Sequence, residues 1–127
     1  MRDVLIVGND DSVPLLINTL HKFNWQAVHA VTCEHTINAL SQDQFHVGLI
    51  LLNDRTINCL PELTNMMQSD SEMEWIATLH SKNLNSTTCC RFITENCFDY
   101  HTFPLDEKRL SSSLGHAYGK ALLKHKV

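Results

Sequence analysis

Apolar positions along the chain gather into short blocks separated by polar, turn-prone residues. Residues 3–8, DVLIVG, form a β-branched run ending at Gly8, the pattern of a buried strand. Asn9, Asp10, Asp11 and Ser12 follow as loop polarity. They offer an N-cap for a helix over 13–23, on which Leu16, Leu20 and Phe23 share a face. Residues 26–31, QAVHAV, predict a second strand, and Thr32 to Ser41 a short helix with Ile37 and Leu40 facing inward. The stretch FHVGLILLN, 45–53, is apolar without alternation, as expected of a central parallel strand covered on both faces. A helix over 57–68 carries Leu60, Leu63 and Met67. Then come a strand at 74–80, EWIATLH, a polar and weakly patterned helix over 85–95, and a strand over 97–102. From Asp106 onward, DEKRLSSSLGHAYGKALLKHK predicts a helix with acids at its start and lysines at its end, as the helix dipole favours.

Strands therefore alternate with helices five times, which predicts a single doubly wound α/β domain with right-handed crossovers. In such a sheet a site belongs at the carboxyl ends of the strands. No linker, repeat or low-complexity segment interrupts the pattern.

Composition narrows the function. The chain has 127 residues, 43% hydrophobic and 19% charged, enough for one domain with a real core. Its formal net charge of −4 argues against direct nucleic-acid binding, which needs a basic face for phosphates. No apolar run approaches a membrane span, and MRDVLIVG is too short for a signal peptide, so a cytoplasmic location is expected. The five cysteines (Cys33, Cys59, Cys89, Cys90 and Cys97) form no C-x-x-C pair and read as reduced thiols serving mostly as small core residues. Eight scattered histidines supply no metal-ligand spacing. Only one glycine lies in VGNDDSVP, which disfavours a phosphate-cradling loop and with it a small flavodoxin-like enzyme or nucleotide binder.

The stretch Tyr100, His101, Thr102, Phe103, Pro104 resembles the end of the fifth strand in the receiver domains of two-component signalling, where an aromatic, two residues and Lys-Pro occur. A narrower resemblance covers residues 98–123, FDYHTFPLDEKRLSSSLGHAYGKALL. It is similar to the receiver-like N-terminal domain of VpsR-type regulators, with VGLILLND compatible. The resemblance implies a (βα)5 flavodoxin- or CheY-like fold with strand order 2-1-3-4-5 across residues 1–127. It further implies attachment, in a longer protein, to an AAA+ ATPase of the sigma-54-dependent kind and a Fis-type DNA-binding segment. Control of surface and biofilm functions and responsiveness of the full-length protein to cyclic di-GMP follow from the same resemblance.

The receiver pattern also assigns roles that this chain fills only in part. Tyr100 falls on the switch aromatic and Ser81 on the switch hydroxyl. Pro104 falls on the proline that commonly follows a cis bond, and Phe103 takes the lysine position. Gly8 and Asn9 stand where two acids follow the first strand, with Asp10 and Asp11 displaced beyond them. Asn53 and Asp54 end the third strand as weak candidates for phosphoacceptor, and the usual Met-Pro after it is missing. A phosphorylated aspartate needs a matched cation and Mg²⁺ held by acidic oxygens. Phenylalanine supplies neither, and its ring is expected to cover the pocket instead. The favoured reading is a degenerate, non-enzymatic receiver that regulates its output by dimerisation or conformational change. The alternative is a working phosphoacceptor at Asp54, with Mg²⁺ held by Asp10, Asp11 and Asp54 and a sensor kinase as partner. As helix-capping or loop carboxylates these acids need no metal.

The last helix bears on the homodimer. Leu110, Leu114, Ala117, Ala121 and Leu122 make an apolar stripe, and Gly115 and Gly119 each cost roughly 1 kcal/mol against alanine. Small residues at that spacing suit close approach, either to the protein's own sheet or to a second copy through Leu110, Leu114, Gly115, Tyr118 and Gly119.

Overall fold

The computed structural model describes residues 2–69 and 72–126, and every site residue named above lies within them. Five parallel strands run in the order β2-β1-β3-β4-β5: β1 Arg2–Val7, β2 Trp25–Ala30, β3 Val47–Leu52, β4 Glu74–Leu79 and β5 Asp99–Thr102. The helices are α1 Val13–Lys22, α2 Cys33–Gln42, α3 Asp54–Ile57, α4 Leu60–Ser69, α5 Thr87–Asn96 and α6 Glu107–His125. This is the doubly wound (βα)5 architecture expected from the alternation.

Period-two alternation divides the sheet's side chains between two apolar layers. From β1, Leu5 and Val7 enter a core shared with Leu60, Leu63 and Met67 of α4 and Phe92 of α5. Val4 and Ile6 point to the other side, among Leu16 and Leu20 of α1 and Leu110, Leu114 and Ala117 of α6. Every residue of β3 and β4 is buried, which is why their sequences show no polar alternation. Each fully buried leucine or isoleucine here contributes roughly 1.5–3 kcal/mol of transfer free energy. Gly48 is dictated by this packing: it pairs with Trp75 across β3 and β4, and a Cβ on it would lie 2.3 Å from the indole.

Three sequence expectations are corrected. The helix expected over 57–68 is two helices, because Asn53 caps a separate turn at Asp54–Ile57. The helix expected over 85–95 begins at Thr87, where Ser86 accepts from Cys89 N, and a 3-10 turn at Ser81–Asn85 precedes it. On α2, Ile37 is 57% exposed and Leu40 only half-buried, while Thr36 is fully buried, its hydroxyl donating to Thr32 O at 2.9 Å.

Candidate functional site at the strand ends

Parallel register brings the residues after β1, β3, β4 and β5 to one edge of the sheet: Gly8 and Asn9, Asn53, His80, and Phe103. This is the edge where an α/β sheet places its ligands.

Gly8 lies at φ 108°, which disfavours any side chain. A Cβ there would also sit 3.2 Å from Leu51 Cβ, Leu51 O and Thr56 Cγ2. Backbone bonds hold it in place: Gly8 N donates to Ala30 O at 3.0 Å, and His29 Nε2 lies 2.6 Å from Gly8 O. An acid cannot occupy this position in this backbone.

Asn53 is committed to structure through both ends of its amide. Its Oδ1 accepts from Arg55 N at 3.0 Å and Thr56 N at 3.2 Å, and Nδ2 donates to Asn9 O at 3.0 Å. Asn53 N donates to Thr56 Oγ1 at 2.8 Å, completing a capping box, while that hydroxyl donates to Leu51 O at 2.8 Å. The loops after β1 and β3 are thus tied by a neutral amide.

The carboxylates stand apart from this edge network. Asp10 Oδ1 accepts from Ser12 N at 2.8 Å and from the Ser12 hydroxyl, closing its own loop. Asp11 is exposed, and Asp54 is exposed in the first turn of α3. Among the described residues no group of three or more His, Cys, Asp or Glu side chains is placed to hold a metal ion. Mg²⁺ coordination by Asp10, Asp11 and Asp54 together therefore does not fit this arrangement.

The Phe103–Pro104 bond is cis. Phe103 N donates to Leu79 O at 3.1 Å, and its half-buried ring lies 4.9 Å from the His80 ring. The ring also walls a hollow of about 270 Å³ against Leu15, Leu16 and Thr19 of α1. It does not lie over a buried Asp54, since that side chain is in solvent.

The switch positions are placed as follows. Ser81 is exposed and opens the 3-10 turn. Tyr100 is 43% exposed on edge strand β5. No hydrogen bond joins the two among the described residues. The ring that meets Phe103 at the strand ends is His80, one place before Ser81, and nothing in its local sequence marks it. Beside Tyr100, His101 is buried and its Nε2 lies 3.6 Å from Asp99 Oδ2. Burial lowers the His101 pKa below 6.5, with Asp99 opposing that shift.

Leu110 and Leu114 are buried against the sheet, which removes them from any outward dimer surface. Tyr118 is half-buried, edge-on to Trp25 at 5.8 Å and to His46 at 5.3 Å. A Cβ on Gly119 would meet nothing within 4 Å, and one on Gly115 would meet only Arg2 Nη1 at 3.8 Å, so neither glycine is there for close packing on the sheet.

Solved structures share this fold at low identity. The response regulator receiver domain protein from Clostridium thermocellum matches with a TM-score of 0.79 and 13% identity, covering 97% of this chain and 98% of that one. The signal receiver domain of an HD domain-containing protein from Pseudomonas fluorescens Pf-5 gives 0.84 and 14%, covering 98% and 92%. NtrX from Brucella abortus gives 0.83 and 16%, covering 99% of this chain but 28% of that larger chain. A comparison of the sequence with curated proteins finds no match. The model of the VpsR domain family matches residues 1–115, nearly the whole length, and with the receiver fold around it the chain belongs to the VpsR domain family.

Proposed function

We propose that this chain is a degenerate receiver domain, which relays a signal to an attached output by self-association or conformational change without aspartate phosphorylation. One observation carries the reading. The receiver scaffold is intact, while the strand-end positions that phosphoryl chemistry needs are occupied by Gly8, Asn53 and Phe103 in structural roles. Membership of the VpsR domain family supports placing the output in a sigma-54-dependent AAA+ activator with a Fis-type DNA-binding segment, governing surface and biofilm functions. A domain of this kind is regulatory and not an enzyme, works in the cytoplasm, and leaves cyclic di-GMP responses to the full-length protein.

Self-association would use the edge formed by β5 and α6. Phe98, Tyr100 and Leu123 are exposed there at 38%, 43% and 65%, Lys120 Nζ lies 5.4 Å from the Phe98 ring centroid, and Gly119 leaves open space. A two-fold pair would place the same patch on both chains. The test is incubation with Mg²⁺ and acetyl phosphate followed by intact mass, with sedimentation in parallel. Unmodified protein that self-associates is the expected result. Stoichiometric phosphorylation abolished by Asp54→Ala would establish the alternative, a working acceptor.

A further inference from the structure

Cys33 and Cys59 are 26 positions apart in sequence and line the same cavity in the fold. Cys33 is the first residue of α2, and Cys59 immediately precedes α4, where its carbonyl accepts from Leu63 N at 3.0 Å. Both are half-buried and line one cavity of about 460 Å³, together with Gly8, Asn9, Thr32 and Arg55. Burial, with Cys59 as its neighbour, raises the Cys33 pKa.

We propose that Cys33 and Cys59 form a modifiable dithiol site, which a peroxide converts to an intramolecular disulfide joining the start of α2 to the start of α4. The Cys59 thiolate attacks one peroxide oxygen. An S–O bond forms, the O–O bond breaks, and the departing hydroxide takes up a proton to become water. The Cys33 sulfur then attacks the resulting sulfenic acid. The S–S bond forms, the S–O bond breaks, and the leaving hydroxide carries off the Cys33 proton as a second water. The two thiols lose two electrons and the peroxide gains them.

The order of events follows from the surroundings. Burial first, then the neighbouring Cys59, and last the charge of Glu62, all hold the proton on Cys33. Cys33 therefore keeps its proton and is the resolving thiol, which leaves Cys59 to meet the oxidant. The other thiols are poorly suited. Cys89 is fully buried, Cys90 donates its S–H to Leu84 O at 3.1 Å, and burial pushes Cys97 up to about 12.

The reduced 127-residue chain is treated with hydrogen peroxide, its remaining thiols are alkylated under denaturing conditions, and its peptides are mapped by mass. The expected result is loss of two of the five thiols, a monomer lighter by two hydrogens, and a single cross-linked peptide pair containing Cys33 and Cys59. Cys33→Ser should leave Cys59 as a sulfenic acid trapped by dimedone, and Cys59→Ser should give neither product. The wild-type map stands independently of whether either variant folds. A bridge using Cys89, Cys90 or Cys97, a bridge only between chains, or retention of all five thiols under peroxide that fully oxidises free glutathione would overturn the proposal.

Discussion

The rings of His80 and Phe103 face one another across the ends of β4 and β5, with centroids 4.9 Å apart and planes tilted by 33°. The pair is set by backbone register, because Leu79 lies opposite Thr102 and each ring belongs to the next residue along. An aromatic contact thus stands where the receiver pattern asks for a cation aimed at phosphate. Phe103→Lys should remove that contact and leave the half-buried position partly filled by an aliphatic stem. A loss of about 1–3 kcal/mol is expected from urea unfolding. Mg²⁺ titration of the variant should show no gain in affinity, since the substitution adds no carboxylate.

Gly8→Ala should be costly for a backbone reason. The residue sits at φ 108°, and the added methyl would be 3.2 Å from atoms of Leu51 and Thr56. Strain of this kind is worth about 1–3 kcal/mol. A midpoint of chemical unfolding equal to wild type would show that the loop relaxes without penalty.

Asn53 separates capping from cross-linking. Asn53→Ala removes the oxygen that caps α3 and the amide that reaches Asn9, so about 1–2 kcal/mol should be lost. Asn53→Asp keeps the cap and adds a charge favourable to a helix start, while losing the donor to Asn9 O. Its unfolding free energy should fall between wild type and alanine, and an order in which aspartate is the least stable would contradict the assignment.

His101 makes stability depend on pH. Burial, the leading cause, lowers its folded pKa, and Arg109 adds to the shift while Asp99 and Asp106 oppose it. Below 6.5 the unfolded chain binds a proton at this residue that the folded chain resists. The stabilisation tied to neutral His101 is therefore full above 6.5 and is lost as pH falls through the folded value. Thermal unfolding between about pH 7 and 5 should show wild type losing more stability than His101→Gln. Parallel curves would remove His101 as the source.

Much of the architecture was legible from hydrophobic spacing alone. Burial on both faces leaves VGLILL no polar alternation, and that pattern marks β3 as a central strand, whereas EWIATL reads only as a strand and its equally buried place beside β3 is set by pairing. Gly8, Asn53 and Phe103 were likewise conspicuous as residues at strand ends whose chemistry disagrees with the receiver pattern. Other features depend on distances between segments. The extra cap at Asn53 splits one expected helix because its amide finds Thr56 and Asn9, a choice that periodicity does not encode. Leu110 and Leu114 looked equally suited to a sheet or to a second copy until the sheet covered them. His80 carries no local signal, and its meeting with Phe103 exists only once β4 and β5 pair. Cys33 and Cys59 share a cavity for the same reason: parallel crossovers return chain segments to neighbouring strand ends, so side chains remote in sequence converge where helices begin.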